Sequence, residues 1–296
     1  MPNHKLQAYK GRFAPSPTGP VHFGTLIAAV GSYLQAKKNQ GIWLMRMEDV
    51  DITRKVDGAD TDILHTLEAF GFEWDGAIIY QSRQTEYYEQ ALEQLVSESM
   101  VFPCTCSRKK LAETNSNIYP GFCRSAHLPV KSEHALRVLA DNINIEFDDA
   151  VMGTQRQNIE QQCGDFIIRR RDNLFAYQLA VVVDDALQNI SEVVRGADLL
   201  DSTARQIYLQ QLLQYPTPDY CHLPLAVDAV GNKISKSEGA ASVGLKNKEK
   251  SLISALNFLG QQVPVELVKS PIDDIWKWAI THWDIQRVPR VKNIKL

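Results

Sequence analysis

The sequence predicts an α/β protein in which helices wrap a parallel sheet. Three observations carry that expectation. Strand-like apolar runs alternate with helix-spaced segments through residues 1–100; the alternation resumes at "DFIIRR", residues 165–170; and the stretch between, rich in cysteine and turn residues, follows neither pattern. With 296 residues and 44% hydrophobic content, the chain has material for a substantial core and a smaller attached module.

The first element is announced by "GRFAPSPTGPVHFGTL", residues 11–26. Proline fixes φ and glycine permits φ > 0, so this is a sharply shaped turn feeding a helix that starts near Thr25. Its backbone N–H groups and the helix dipole suit a phosphate, and His22 stands at the same end. Leu26, Ile27, Val30, Tyr33 and Leu34 recur at helical spacing until Gly41. "IWLMRM" then reads as a buried strand ending at Glu48-Asp49, followed by a helix carrying Ile63, Leu64, Leu67 and Phe70 and closed by Gly71. A short strand at "AIIYQS" and a helix from Thr85 to Ser97 complete the first half.

From Val101 to about Cys163 the rhythm breaks, with short strand-like pieces such as "INIEF", which reads as an insertion. The second half runs through "LAVVVDDAL", "SEVVRGADLL" and a helix in "ARQIYLQQLL". "LPLAVDAVGNKISKSEGA" is a strand, a Gly-Asn turn and a charged small-residue loop. Leu252, Leu256, Leu259, Trp276, Ala279, Ile280 and Trp283 then mark a helical region. The expected division is 1–100 and 165–245 for the halves of the main domain, 101–164 for the insertion and 246–296 for the helical region.

Net charge of −3 excludes a global basic field, so a nucleic-acid partner must be gripped locally, by Arg169, Arg170 and Arg171 or by Arg287, Arg290, Lys292 and Lys295. On charge alone each patch reads as a solvated face. The opening "MPNHKLQAYK" is polar, and no apolar run reaches the roughly 20 residues of a membrane helix, so the expected location is the cytoplasm, away from any membrane. Five cysteines, three of them at 104, 106 and 123, suit a reduced compartment and a metal better than disulfides. Cys163 and Cys221, outside that cluster, read as core thiols.

"KISKS", residues 233–237, is a second phosphate-seeking element, with Lys233 and Lys236 as point charges on a loop of small residues. Alone it would be a solvated loop; paired with the opening turn it points to a polyphosphate. With these motifs in place, the chain resembles the class I aminoacyl-tRNA synthetases, in their glutamyl branch. "RFAPSPTGPVHFG" is similar to that branch's HIGH region and "KISKS" to its KMSKS loop, and "RMEDVD", "IYQSRQ", "YQLAVVVDD" and "VVRGADLL" extend the likeness over roughly residues 11–240.

The resemblance implies a Rossmann-like doubly wound catalytic domain that makes an aminoacyl adenylate from ATP, with Mg2+ on the phosphates. It implies that His22, Gly24 and Lys236 bind ATP, with His22, Lys233 and Lys236 as the catalytic set. It also implies a glutamate site formed by Arg12, Phe13, Ala14, Pro15, Ser16, Glu48, Tyr177 and Arg195. The chemistry assigns Glu48 to the ammonium group and the two arginines to the carboxylates, with Arg12 favoured for the side chain. Because this reaction needs no carboxylate pair, Asp184-Asp185, Asp49 and Asp51 are read as structural or nucleotide-positioning groups.

Cys104, Cys106, Tyr119 and Cys123 form a Cys-x-Cys-x12-Tyr-x3-Cys pattern, and the three thiolates favour one structural zinc ion. General chemistry prefers His127 as fourth ligand over a phenol of pKa about 10. The sequence also resembles a short branch of the family that joins glutamate to queuosine, the modified wobble base of tRNA(Asp), and that resemblance implies Tyr119 instead. A charging enzyme of the glutamyl branch carries a large helical anticodon-binding region after its lysine loop. Only about sixty residues follow Ser237 here, so the expected partner is the anticodon loop of tRNA(Asp), entering the catalytic cleft of a monomer.

Overall fold

The computed structural model describes residues 8–114, 116, 118–232 and 243–296. Strand β1 (Lys10–Phe13) lies parallel to β2 (Ile42–Met47), with Lys10 opposite Ile42 and Phe13 opposite Met45. Between them helix α1 (Phe23–Lys38) buries Leu26, Ile27, Val30 and Leu34 on the sheet. The helix begins two residues ahead of Thr25 because the His22 side chain caps it, accepting the Thr25 N–H at 3.2 Å. A Cβ at Gly31 would collide with Leu223, so glycine there sets how closely the helix approaches the sheet.

Helix α2 (Ala59–Ala69) leads to β3 (Ile79–Tyr80), which adds parallel to β2 for only two residues before a 3-10 turn, Gln81–Arg83, diverts the chain. Helix α3 (Thr85–Ser97) closes the first half with the span its sequence predicts. An antiparallel module follows, in which β4 (Val101–Cys104), short helix α4 (Arg108–Ala112) and β5 (Ala135–Val138) precede β6 (Asn144–Asp149), β7 (Gly153–Asn158) and β8 (Phe166–Arg169). Strands β4, β5 and β8 form their own sheet.

Helix α5 (Tyr177–Leu187), β9 (Glu192–Gly196), α6 (Leu200–Leu212) and β10 (Asp219–Leu223) restore the β/α alternation. β10 is parallel to both β9 and β6, so a strand within the stretch read as an insertion is built into the second half's sheet. β9 reaches β1 through Ser191, which donates its N–H to the Lys10 carbonyl at 2.9 Å and accepts the Lys10 N–H on Oγ at 2.8 Å. The run β3-β2-β1 therefore continues into β9-β10-β6, and the chain changes direction between β1 and β9. Ligands of open α/β sheets bind at such a switch point, beyond the carboxyl ends of the strands.

β11 (Leu225–Val227) precedes helices α7 (Lys248–Phe258) and α8 (Ile272–His282) and then β12 (Asn293–Lys295), which pairs parallel with β11. The helices belong to the main core: Trp276 packs edge-on against Tyr33 and Phe72, each at 5.0 Å between centroids, and donates its indole N–H to the Phe70 carbonyl at 2.8 Å. A second core lies under α3, α5 and α6, while Phe102, Cys104 and Cys123 form a small separate cluster.

Candidate active site

The carboxyl ends of β1, β2 and β9 carry Arg12, Arg46 with Glu48, and Arg195. Arg12 donates from Nε to Asp185 Oδ1 at 3.0 Å and from Nη2 to Oδ2 at 3.4 Å. Arg46, fully buried in an otherwise apolar strand, donates to the same Asp185 Oδ1 at 2.8 Å and to Gln188 Oε1 at 2.6 Å. Asp184 receives Tyr88 Oη at 2.9 Å and Gln81 Nε2 at 2.7 Å and sits 3.8 Å from Arg46 Nε. The Asp184-Asp185 pair on α5 is thus a structural counterweight to two buried guanidinium groups. Burial works against the Arg46 charge, but Asp185, Asp184 and Glu48 outweigh it.

Two cations balanced by two anions leave Glu48 without a charge of its own to offset. It lies 3.5 Å from Arg46 Nη2, yet burial raises its carboxyl from 4.5 to about 7, with Arg46 and Arg12 pulling back only part of the shift. Tyr177, at the start of α5, is pushed up by burial and by Glu48 and pulled back by Arg195 and Arg12, so the four groups share one space. Pro15 fixes the Glu48 backbone by accepting its N–H at 3.0 Å. The Phe13 side chain instead stacks on Trp43 in the core, Ala14 is half-buried, and Ser16 is exposed at the cleft. Ser16, Thr18, Glu48, Asp51, Arg54 and Lys55 line an open pocket there.

On the far side, Arg195 is buried and its guanidinium is held along one edge. Nε donates to His222 Nε2 at 3.0 Å and Nη2 to Thr203 Oγ1 at 2.8 Å. His222 Nδ1 lies 2.6 Å from Asp149 Oδ2, and Asp149 also accepts the N–H groups of Met152 and His222 at 2.8 and 3.1 Å. Arg195 Nη1 is buried and has no hydrogen-bond partner among the described residues. A buried guanidinium nitrogen left in that state is a strong donor for an incoming anion.

His22 stands at the N-terminus of α1, with its ring nitrogens 3.0 and 3.3 Å from Thr25 Oγ1, and Gly24 follows in the first turn. Because Nδ1 accepts the Thr25 N–H, the neutral ring carries its proton on Nε2. Lys233 and Lys236 lie outside the described residues. Of the basic triplet, Arg170 pairs with Asp51 at 2.8 Å and Asp172 at 2.6 Å, and Arg171 donates to the Thr105 carbonyl at 2.7 Å. These two arginines tie the antiparallel module to the pocket loop. Asp49 is likewise structural, accepting the Ser82 N–H and hydroxyl at 2.9 and 2.8 Å.

In the module, the sulfur atoms of Cys104, Cys106 and Cys123 all lie within 4.8 Å of one another. Cys106 and Cys123 are 3.6 Å apart, and the Tyr119 hydroxyl is 3.5 Å from Cys104 and 3.6 Å from Cys106. A tetrahedral shell with zinc–sulfur bonds of about 2.3 Å and zinc–oxygen bonds of about 2.0–2.2 Å separates its ligand atoms by roughly 3.5–3.8 Å, so this donor set fits such an ion. His127 is exposed and falls outside the sulfur cluster. Arg137 lies over the Tyr119 ring, 3.9 Å from its centroid. Arg124, beside Cys123, anchors the segment to Asp165 at 3.1 Å.

Sequence reasoning passed over Arg46, Asp149, Thr203 and His222. Arg46 and His222 had a readable signal: each is a polar side chain in an apolar strand run, where burial demands a partner. Asp149 and Thr203 gave none, since both types are common in loops and helix surfaces.

Residues 9–261 match the family model of the catalytic domain of class I tRNA synthetases (E and Q). A glutamyl-Q tRNA(Asp) synthetase of Aromatoleum aromaticum is 50% identical over 287 residues, 95% of this chain and 91% of that one. The protein of the same name from Dechloromonas aromatica is 49% identical over 97% of this chain and 98% of its own length. Among solved structures, a glutamate-tRNA synthetase from Elizabethkingia anophelis superposes with a TM-score of 0.81 at 23% identity, covering 98% of this chain and 68% of that one.

Proposed function

The chain belongs to the class I tRNA synthetases of the glutamate and glutamine type, and we propose that it acts as a glutamyl-Q tRNA(Asp) synthetase. In this reading it activates glutamate with ATP in the absence of tRNA and then transfers glutamate to the queuosine of tRNA(Asp). The observation that carries the substrate assignment is the convergence, at the switch point, of Arg12, Glu48, Tyr177 and the unpartnered Arg195 Nη1. Two guanidinium groups and one carboxylate suit a molecule with two carboxylates and one ammonium group.

Arg12 takes the side-chain carboxylate, Arg195 the α-carboxylate and Glu48 the ammonium. An oxygen of the α-carboxylate attacks the α-phosphorus of ATP in line, the bond to the bridging oxygen breaks, and pyrophosphate leaves. No protein nucleophile is required; the chain positions the reactants and offsets developing charge. The N-terminus of α1, with His22 and Gly24, faces the α-phosphate, and Lys236 with support from Lys233 holds the leaving pyrophosphate. Mg2+ accompanies ATP as part of the substrate. A hydroxyl of queuosine then attacks the mixed-anhydride carbonyl, AMP departs, and the hydroxyl proton is lost.

Cys104, Cys106, Tyr119 and Cys123 would hold a zinc ion, which would supply a structural cross-link within the segment. The acceptor is an anticodon loop rather than a tRNA 3′ end, in keeping with relatives matched over 91% and 98% of their lengths. No helix among the described residues is long and apolar enough to cross a membrane, which suits a cytoplasmic enzyme. The reading is tested by ATP–pyrophosphate exchange with glutamate alone, followed by transfer of labelled glutamate to queuosine-containing and queuosine-free tRNA(Asp). Label should survive trimming of the 3′ end and be absent without queuosine. Label lost with the terminal adenosine would identify an ordinary charging enzyme, and exchange that strictly needs tRNA would overturn tRNA-independent activation.

A further inference from the structure

We propose that Asp149 and His222 are positioning residues for Arg195: together they lock its guanidinium so that Nη1 alone is presented to the α-carboxylate of glutamate. The proposal rests on the pocket assignment above and adds to it a relay that spans three strands. Asp149 closes β6, His222 lies on β10, and Arg195 lies on β9 directly opposite His222 in the parallel ladder. The strand order β6-β10-β9 therefore becomes a chain of side chains running across three neighbouring strands to the ligand.

The hydrogen-bond directions are fixed by what each group can do. Arginine only donates, so His222 Nε2, 3.0 Å from Arg195 Nε, must accept. Its proton then sits on Nδ1, where Asp149 Oδ2 receives it at 2.6 Å. Three backbone N–H groups, of Val151, Met152 and His222, hold the Asp149 carboxylate in place. Thr203 Oγ1 occupies Nη2 from the α6 side at 2.8 Å. With Nε and Nη2 engaged, the guanidinium cannot turn without breaking a buried bond, and Nη1 is the nitrogen with no partner among the described residues.

The groups facing His222 are Asp149 from β6, Arg195 from β9, Arg12 from β1, Thr203 from α6 and Tyr220 stacked 6.2 Å away on its own strand. Burial and the two guanidinium groups hold its imidazole below the usual 6.5, against the pull of Asp149. At neutral pH the ring is uncharged and accepts from Arg195. As pH falls through that lowered value, a second proton turns Nε2 into a donor facing another donor, and glutamate binding is lost on the acid side.

The test is ATP–pyrophosphate exchange with glutamate for the wild type and the variants H222L, H222Q, D149N and R195A, with separate KM values for glutamate and ATP across pH. H222L, which removes the acceptor, is expected to raise the glutamate KM by about tenfold or more while leaving the ATP KM in place. H222Q, whose amide oxygen replaces the Nε2 acceptor but does not titrate, is expected to recover most of that loss and to flatten the acid limb. D149N is expected to raise the glutamate KM by freeing the tautomer. Independently of activity, 15N ring shifts of His222 in the wild type should report protonated Nδ1 and bare Nε2. An Nε2–H tautomer, an H222L variant with unchanged glutamate KM, equal rises in both KM values, or H222Q as defective as H222L would each overturn the relay. R195A with unchanged glutamate KM would instead overturn the pocket assignment beneath it, a separate outcome.

Discussion

The proposed glutamate pocket and the cysteine knuckle solve the same problem, holding several polar side chains at fixed positions, in opposite ways. Arg12, Arg46, Glu48, Asp185 and Arg195 come from β1, β2, α5 and β9, and their partners arrive from equally distant parts of the chain. In the knuckle, Cys104, Cys106, Tyr119 and Cys123 belong to one short segment, around a small cluster whose buried members among the described residues are Phe102, Cys104 and Cys123. The pocket is thus a product of the whole fold, and the knuckle of local spacing. Loss of one side chain should disturb the first globally and the second locally.

The largest expected effect sharpens the pocket side of this contrast. Glutamine in place of glutamate leaves buried guanidinium charge facing an amide, and polar sites of this kind discriminate by roughly 10^4. Exchange rates measured with both amino acids test it, and comparable rates would mean the pocket is not built for two carboxylates. Next is D185N, which strips the shared counter-ion from Arg12 and Arg46. Breaking a buried pair in this way costs about 3–5 kcal/mol, measurable by urea denaturation. A loss near zero would show that Asp184 and Glu48 suffice to hold both arginines.

Chelation probes the other region. Removing the ion should raise hydrogen exchange through residues 101–135 while the amides of β1 and β2 keep their protection, with glutamate KM unchanged. A cooperative collapse of both regions would break the comparison. Y119F should lose stoichiometric zinc and H127A should keep it; the reverse pattern reassigns the fourth ligand.

The smallest effect is a proton balance at Glu48. Its carboxyl titrates at about 7 in the fold against an ordinary 4.5, so the native state holds a proton that the unfolded chain has released. This contribution to stability is fully present below about 4.5 and fades as pH rises through about 7. The glutamate ammonium requires the ionised form, so binding at pH 6 should release close to one proton and at pH 8 almost none. Calorimetry in buffers of different ionisation enthalpy measures the count, and E48Q should abolish it. Release that persists in E48Q would move the linkage to another group.

The same contrast explains what could be read from residues alone. The helix Thr85–Ser97 and the strand "IWLMRM" were legible because their periodicity and punctuation are local. So was the grouping of Cys104, Cys106 and Cys123, since the three share one segment. The partners of Arg12 and Arg195 were not, because Asp185 and His222 reach them only through strand order and helix packing. Strand β6 shows the limit most plainly. "INIEF" reads as a strand in any setting, but its membership in the β10 sheet depends on a parallel neighbour far along the chain.

The pairing of β11 with β12 bears on how the protein is made. Leu225 finds its register partner only at Asn293, across two intervening helices. During synthesis the strand leading to the lysine loop emerges long before its neighbour and exposes Leu225, Ala226 and Val227 along an open edge. Closing that ladder requires a long loop to be closed and waits on the last strand of the chain to be made. A nascent chain paused between α7 and β12 is therefore expected to expose that edge to association with other chains.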